Sequence, residues 1–116
     1  MAKSPSSWKG VERIAASLTG GARYPANSGG RLDTLGPRWA CSVKNVRTLS
    51  LAQVEALAME AAACAASLDP PRLGALVVKR SAGAGTATPH LVILTEDVWR
   101  RWHAVLMPAF SNAPPT

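Results

Sequence analysis

An alanine-rich segment between two apolar, β-branched segments is the feature that most restricts how this chain can fold. Residues 50–68 carry apolar side chains at the period of a helix, at Leu51, Val54, Leu57, Ala58, Ala61, Cys64, Ala65 and Leu68. Because most of these side chains are small, we expect the helix to pack closely on a sheet. Asp69-Pro70-Pro71 ends it, since proline lacks the backbone donor that a helix needs.

The segments on either side of this helix have the patterns of β-strands. Residues 38–46 alternate between apolar and polar side chains, and residues 31–35 form a shorter strand before the turn at Gly36-Pro37. These two strands are expected to pair as an antiparallel hairpin. "GALVVKR" and "HLVILT", joined by "SAGAGTAT", predict a second hairpin after the helix.

Two further helices are predicted near the ends of the chain. The first is capped by Ser6 or Ser7 and runs to Thr19, with Trp8, Val11, Ala15 and Leu18 as its apolar stripe and Glu12 beside it. Thr95 caps the last helix, in which Trp99 and Trp102 are read as core or dimer-contact residues. Residues 20–31 are rich in turn formers and predict a loop.

The expected fold class is therefore α/β, a small mixed sheet flanked by helices in the order α-β-β-α-β-β-α. A chain of 116 residues accommodates one such domain, which we place at residues 8–107. Residues 1–7 and 108–116 are expected to be flexible tails.

The basic residues are concentrated in the first half of the chain. The net charge is +6, and up to Arg47 there are eight basic residues against two acidic ones. Such a surface fits a polyanion, most simply nucleic acid, although basic charge also serves solubility. Cys41 and Cys64 have no partner pair nearby and are read as reduced core residues, which favours the cytoplasm. No apolar run is long enough to span a bilayer, and no membrane contact is expected.

Asp33, Ser42 and Lys44 are candidates for a catalytic site. The hairpin brings them to one patch of the sheet, provided that their side chains share a face. An acid that binds a hard cation, beside a lysine that neutralises a phosphate, is what metal-dependent phosphodiester hydrolysis requires. Mg²⁺ usually takes more than one acid, and Glu12, Glu55 and Glu60 are available. Glu55 and Glu60 lie on opposite flanks of the helix, and the helical wheel does not choose between them.

Several short motifs occur in a characteristic order along the chain. A first helix bearing Glu12 is followed by "GGARYP", by "SGG", by Asp33, by the strand "SVK", by the alanine-rich helix and by a hairpin ending in "LVIL". In this order they resemble the PD-(D/E)XK nuclease superfamily, and more closely its small phage and archaeal-type Holliday junction resolvases. The resemblance covers about Trp8 to Trp102 and implies a restriction-endonuclease-like core.

The resemblance implies a role for each matched residue. Asp33 would bind Mg²⁺, or alternatively Mn²⁺, with Val43 as a further ligand, while Lys44 assists the attacking water and Glu12 lies near the active site. Ser42 occupies the position where the family has its second acid. In some restriction endonucleases of the superfamily that acid has migrated to the following helix, which favours Glu60 here, ahead of Glu55.

The implied activity is structure-selective cleavage of branched DNA by a homodimer, in the cytoplasm of a bacterial or phage-infected cell. The best candidates for phosphate contacts, which position DNA without reading its sequence, are Arg13, Arg23, Arg31, Arg38 and Arg47. Two alternatives are a catalytically inactive nuclease fold that only binds DNA, and a nuclease acting on ordinary duplex. His90 and His103 lack neighbours at metal-ligand spacing and are read as structural.

Overall fold

The computed structural model describes residues 8–23, 32–83 and 85–111, which form an α/β domain of three helices and a five-stranded mixed sheet. In chain order the elements are α1 (Trp8–Leu18), β1 (Ala22–Arg23), β2 (Thr34–Leu35), β3 (Trp39–Val46), α2 (Leu51–Ala66), β4 (Leu73–Arg80), β5 (His90–Ile93) and α3 (Glu96–Ser111).

The strands lie across the sheet in the order in which they occur along the chain. β1, β2 and β3 are antiparallel neighbours, β3 and β4 are parallel, and β4 and β5 are antiparallel. Both predicted hairpins are therefore present, and α2 makes the crossover that two parallel neighbours require. The predicted mixed sheet with flanking helices is confirmed.

The described elements differ from the expected ones in three places. β2 covers only Thr34–Leu35 of the predicted strand at residues 31–35. β1 lies inside the segment predicted as a loop, where Ala22 pairs with Leu35 and Arg23 with Thr34. This short pairing depends on Gly21, because a Cβ there would collide with the carbonyl oxygen of Leu35. α3 continues to Ser111, beyond the expected domain end at residue 107. The predicted caps Ser6 and Ser7 lie outside the described residues.

The two faces of the sheet are covered by different helices. On one face Ala15 of α1 packs with Cys41, Ala75 and Val77. On the other, Ala65 of α2 packs with Ala40, the neighbour of Cys41. Successive residues of a strand point to opposite faces, so α1 and α2 sandwich β3 and β4.

α2 approaches β4 so closely that the two backbones are in contact at Gly74. A Cβ at this glycine would overlap the carbonyl group of Ala61. The three buried residues of α2 are all alanines, Ala58, Ala61 and Ala65. The expected close packing of an alanine-rich helix on the sheet is thus observed, and glycine at position 74 is its counterpart on the strand.

The buried faces of two helices differ from the predicted ones at one leucine each. In α1 the described buried residues are Gly10, Val11, Glu12, Ala15 and Ala16, while Leu18 is 55% exposed. In α2, Leu51 is 84% exposed because it is the first residue after the cap and lies on the solvent side. Apolar spacing alone therefore misplaced the first- or last-turn leucine of each helix.

α3 packs across the end of the sheet at which β3 and β4 begin. Trp102 contacts Trp39 edge to face, with ring centroids 5.5 Å apart, and Trp99 contacts Trp102 in the same way at 5.6 Å. The helix is capped as expected, since the Thr95 hydroxyl accepts a hydrogen bond from the Val98 N–H at 3.3 Å. Both cysteines are free, and none of the described helices is long and apolar enough to cross a bilayer.

Gly74→Ala is expected to destabilise the domain by about 1 to 3 kcal/mol, because the added methyl group forces α2 away from β4. The measurement is the urea midpoint followed by circular dichroism. Ala56→Leu, on the exposed side of α2, adds more volume and is expected to leave the midpoint nearly unchanged. Equal midpoints for Gly74→Ala and the wild type would contradict the close contact.

Candidate active site

A buried glutamate on α1 forms the first part of the site. Glu12 is only 7% exposed, and its Oε1 atom lies 3.0 Å from Nε of Arg23 on β1. The ion pair joins the first helix to the first strand across a gap of eleven residues. Arg23 can reach Glu12 because β1 folds back beside α1.

Asp33 lies just before β2, and both its backbone and its side chain bind β3. Its N–H donates to the carbonyl oxygen of Cys41 at 2.8 Å. Its carboxylate Oδ2 accepts from the N–H of Val43 at 2.7 Å. Since β2 is only two residues long, this carboxylate replaces the main-chain acceptor that a longer strand would offer. The position of the acid is therefore set by the edge of the sheet.

The carboxyl groups of Glu12 and Asp33 are close enough to influence each other electrostatically. Burial raises the pKa of Glu12 above its ordinary value of 4.5, and the neighbouring Asp33 carboxylate adds to the rise, whereas Arg23 opposes it. Two acids and one arginine thus share a partly dry site. An arrangement in which the charged form of a carboxyl is disfavoured is typical of functional sites, where a cation or a proton compensates the charge.

The backbone of Val43 faces Asp33, the second of these acids. In a strand the N–H and the C=O of one residue point toward the same neighbouring strand. Because the Val43 N–H is bound by Asp33, the Val43 carbonyl points to the same edge of β3. Two carboxylates and a carbonyl are hard oxygen donors, the class that Mg²⁺ and Mn²⁺ prefer.

Ser42 and Lys44 lie on the face of the sheet that α2 covers. Ala40, two residues earlier, packs with Ala65 of α2, and the alternation of the strand assigns Ser42 and Lys44 to the same face. Ser42 is 5% exposed and Lys44 is half-buried. Among the described residues, the side chain of Lys44 has neither a hydrogen-bond nor an ion-pair partner. It is a partly dehydrated cation whose charge nothing described here neutralises.

The sequence argument required Asp33 to lie on the same face as Ser42 and Lys44. In the structure its carboxylate lies instead in the plane of the sheet. An acceptor that binds the N–H of a strand residue lies beside the strand rather than above or below it. Asp33 therefore meets β3 at Val43, the residue between Ser42 and Lys44, while Glu12 approaches from the α1 side. Asp33, Ser42 and Lys44 therefore lie at neighbouring positions of β3, but they do not share a face. Asp33 lies beside the strand, whereas Ser42 and Lys44 lie on the face that α2 covers.

Glu60 is half-buried on α2, whereas Glu55 is exposed. One turn after Glu60 on the same flank, Cys64 packs against the group that contains Leu32 and Leu35. The flank that carries Glu60 therefore faces β2, the side on which Asp33 lies. Across the described ranges no three His, Cys, Asp or Glu side chains are close enough together to hold a metal. The structure favours Glu60 over Glu55 but does not bring it into contact with both other acids.

The arginines predicted to contact DNA are distributed over different parts of the molecule. Arg13 is exposed on α1, Arg47 is exposed just after β3, and Arg31 lies outside the described residues. Arg23 lies inside the site as the partner of Glu12. Arg38 is at the opposite end of β3, beside the hairpin turn. Sequence reasoning missed the Arg23–Glu12 pair, and the two-residue strand that creates it has no clear pattern.

No protein-family model, curated protein or solved structure matches this chain. The geometry of the site is therefore the basis for the assignment of a function.

Glu12→Gln is expected to raise the melting temperature at neutral pH, because it removes a charge that burial and Asp33 both disfavour. A carboxyl whose pKa is raised by folding binds its proton more tightly in the native state, so wild-type stability falls as the pH rises through the interval above 4.5. The advantage of the variant should therefore be small at pH values below this interval and constant above it. Thermal melts over a pH series measure this.

Glu55→Gln removes an exposed carboxyl from α2 and provides the matched control, with little expected change at any pH. A Glu12→Gln variant that melts below the wild type at neutral pH, or whose advantage does not vary with pH, would contradict the electrostatic description of the site.

Proposed function

We propose that this protein is a metal-dependent endonuclease that hydrolyses phosphodiester bonds of DNA, with a restriction-endonuclease-like core. The observation that carries the proposal is that the Asp33 carboxylate binds the backbone of Val43 while it interacts electrostatically with the buried carboxyl group of Glu12. The two acids thus lie near the Ser42-Val43-Lys44 segment of β3. The side chain of Lys44 has no partner among the described residues. Acids that bind a hard cation beside a lysine are the components of metal-dependent phosphoryl chemistry.

The donor set fits a divalent cation. Asp33 and Glu12 would hold Mg²⁺ or Mn²⁺, with the carbonyl of Val43 as a third oxygen donor. The raised pKa of Glu12 reflects an environment in which burial and a second carboxylate disfavour its charge, and a divalent cation would relieve both effects. Bound there, the cation would polarise the phosphate and lower the pKa of a coordinated water.

Lys44 would act on the reacting phosphate from the other side of β3. An ammonium group that is partly removed from water stabilises the negative charge that develops as the water oxygen bonds to phosphorus and the bond to the leaving oxygen breaks. Asp33 is held by its hydrogen bond to Val43, so its position does not have to be adjusted during the reaction. Arg23 keeps Glu12 oriented.

The order of elements supports the nuclease assignment. A helix with Glu12, a strand preceded by Asp33, a strand with Ser42 and Lys44, an alanine-rich helix and a hairpin follow one another. This is the order of motifs by which the sequence resembles Holliday junction resolvases. A four-way junction needs paired cuts on symmetry-related strands, so we propose branched DNA as substrate and a two-fold homodimer as the assembly. Its free cysteines suit the cytoplasm of a bacterial or phage-infected cell.

Ser42 favours a second candidate function. A serine is a poor replacement for an acidic metal ligand, and Glu60 is not in a group of three acids with Glu12 and Asp33. If no carboxylate compensates, the protein would bind DNA without cutting it. A nuclease acting on ordinary duplex would use the same site and differ only in its substrate.

Asp33→Asn and Lys44→Ala should each lower the rate of cleavage by about a hundredfold or more, because each removes a charge at the reacting phosphate. The assay uses an end-labelled four-way junction and a matched linear duplex, with Mg²⁺ or Mn²⁺. Junction binding measured in Ca²⁺ verifies that each variant is folded. Asparagine can still accept the hydrogen bond from Val43, so Asp33→Asn should preserve the fold.

The outcomes separate the candidates. Paired cuts near the branch that require both residues would support a resolvase, and equal cleavage of the duplex would support the less selective nuclease. Tight binding without cleavage in either metal would favour the inactive DNA-binding protein. Wild-type rates in Asp33→Asn or Lys44→Ala would reject the site.

Glu60→Gln tests whether the acid has migrated from position 42 to α2. If Glu60 replaces the missing acid, the variant should lose cleavage by about a hundredfold and need more metal for half-maximal activity. Glu55→Gln, on the exposed flank of the same helix, is the matched control. Unchanged metal dependence in Glu60→Gln would show that Glu12 and Asp33 suffice.

A further inference from the structure

A second cleft lies at the far end of the sheet from the acids, where β3 and β4 begin. It has a volume of about 400 Å³ and is bounded by the β2–β3 turn, the start of β4 and one side of α3. Trp39, which follows Arg38, is four residues from Val43, so about 13 Å of strand separate the cleft from the acidic site. The two sites are thus distinct.

Three arginines line this cleft, and no carboxylate lies among its described lining residues. They are Arg38, Arg72 and Arg101, which come from the β2–β3 turn, the start of β4 and α3 respectively. Arg38 is exposed and has no side-chain partner among the described residues. Arg101 is paired with Asp97 at 3.0 Å, but both side chains are more than half exposed. An exposed pair of this kind contributes little and is readily exchanged for another anion.

Arg72 is held in place without being neutralised. Its Nε donates to the carbonyl oxygen of Gly36 at 3.1 Å and its Nη1 to that of Pro70 at 2.6 Å. Both acceptors are uncharged backbone groups, so the guanidinium retains its full charge and its other N–H groups. A fixed guanidinium loses little conformational freedom when it binds a phosphate, which favours affinity.

The rest of the cleft is apolar and partly aromatic. Trp102 forms part of its wall together with Leu73 and Val105. The ring of Trp102 is fixed by edge-to-face contacts with Trp39 and Trp99. Guanidinium groups beside a rigid indole are the combination by which proteins hold a phosphate and the sugar or base attached to it. The volume is also in the range of small-ligand sites.

We propose that the Arg38–Arg72–Arg101 cleft binds a nucleoside phosphate, with the phosphate on the three guanidinium groups and the sugar and base against Trp102. The same chemistry is offered by one nucleotide of a DNA strand and by a free mononucleotide. This proposal concerns binding alone, so it does not depend on cleavage at Asp33.

The test compares two double variants that remove the same charge. Arg38→Gln/Arg101→Gln removes the two exposed arginines of the cleft and keeps Arg72, which also supports the fold. Arg80→Gln/Arg100→Gln is the control, since both arginines are exposed and Arg100 has the same kind of pair, with Glu96 at 2.6 Å. Binding of a labelled four-way junction and of a labelled single strand is followed by anisotropy in Ca²⁺, over a salt series. Binding of dAMP and of inorganic phosphate is followed by tryptophan fluorescence.

The cleft variant is expected to bind one or both DNA probes about tenfold more weakly than the control variant, with a salt dependence reduced by about two phosphate contacts. Unchanged DNA affinity with loss of dAMP binding would identify a free nucleotide as the ligand and would also support the proposal. Equal affinities of the two double variants for DNA and for dAMP would overturn it. Phosphate binding as tight as dAMP binding would overturn the part assigned to Trp102.

The test also distinguishes this proposal from the endonuclease. Asp33→Asn should bind dAMP and DNA as the wild type does, whatever its cleavage rate. Loss of binding only in the cleft variant, together with wild-type cleavage by Asp33→Asn, would retain the second site and reject the active site at Asp33. The same loss of binding in a protein that cleaves neither DNA probe would retain the second site and reject the nuclease.

Discussion

Helix α2 lies so close to the centre of the sheet that the carbonyl group of Ala61 occupies the space beside Gly74 where a Cβ would stand. Only small residues on both surfaces permit this distance, and the buried residues of α2 are accordingly alanines. The contact sets the height of the helix above β3 and β4 and the order of the connections on either side of it. It also determines which part of α2 covers the face that carries Ser42 and Lys44.

The candidate active site follows from the edge of this sheet rather than from its core. β2 begins only at Thr34, and the Asp33 carboxylate takes over the hydrogen bond from Val43 that a longer strand would have accepted. Glu12 reaches the same place from α1, at the cost of burying a carboxylate near another one. An uncharged residue at position 12 would make the domain more stable. A natural sequence keeps a buried carboxylate near another one where the pair has a function.

Two groups of arginines lie at opposite ends of the same strand pair. Arg23 is used inside the acidic site to hold Glu12, while Arg38 joins Arg72 and Arg101 at the other end of β3. These four arginines therefore do not form one continuous basic surface around the acids. A nucleic acid that contacted both sites would have one phosphate held by Arg38, Arg72 and Arg101. Another of its phosphates would lie at the acidic site of Glu12 and Asp33.

Local patterns in the sequence determined the helices, the two hairpins, the class of fold and the acids and lysine worth examining. The spacing of apolar residues and the turn residues act over a few positions, so they can be recognised in the sequence itself. Tertiary structure alone decided that Leu18 and Leu51 are exposed, that two residues of the loop form β1, and that Arg23 pairs with Glu12. It also put Asp33 in the plane of the sheet and gathered Arg38, Arg72 and Arg101 into one cleft. These outcomes depend on which segments become neighbours across the sheet, and contacts between residues far apart in the chain have no local signature that a single sequence displays.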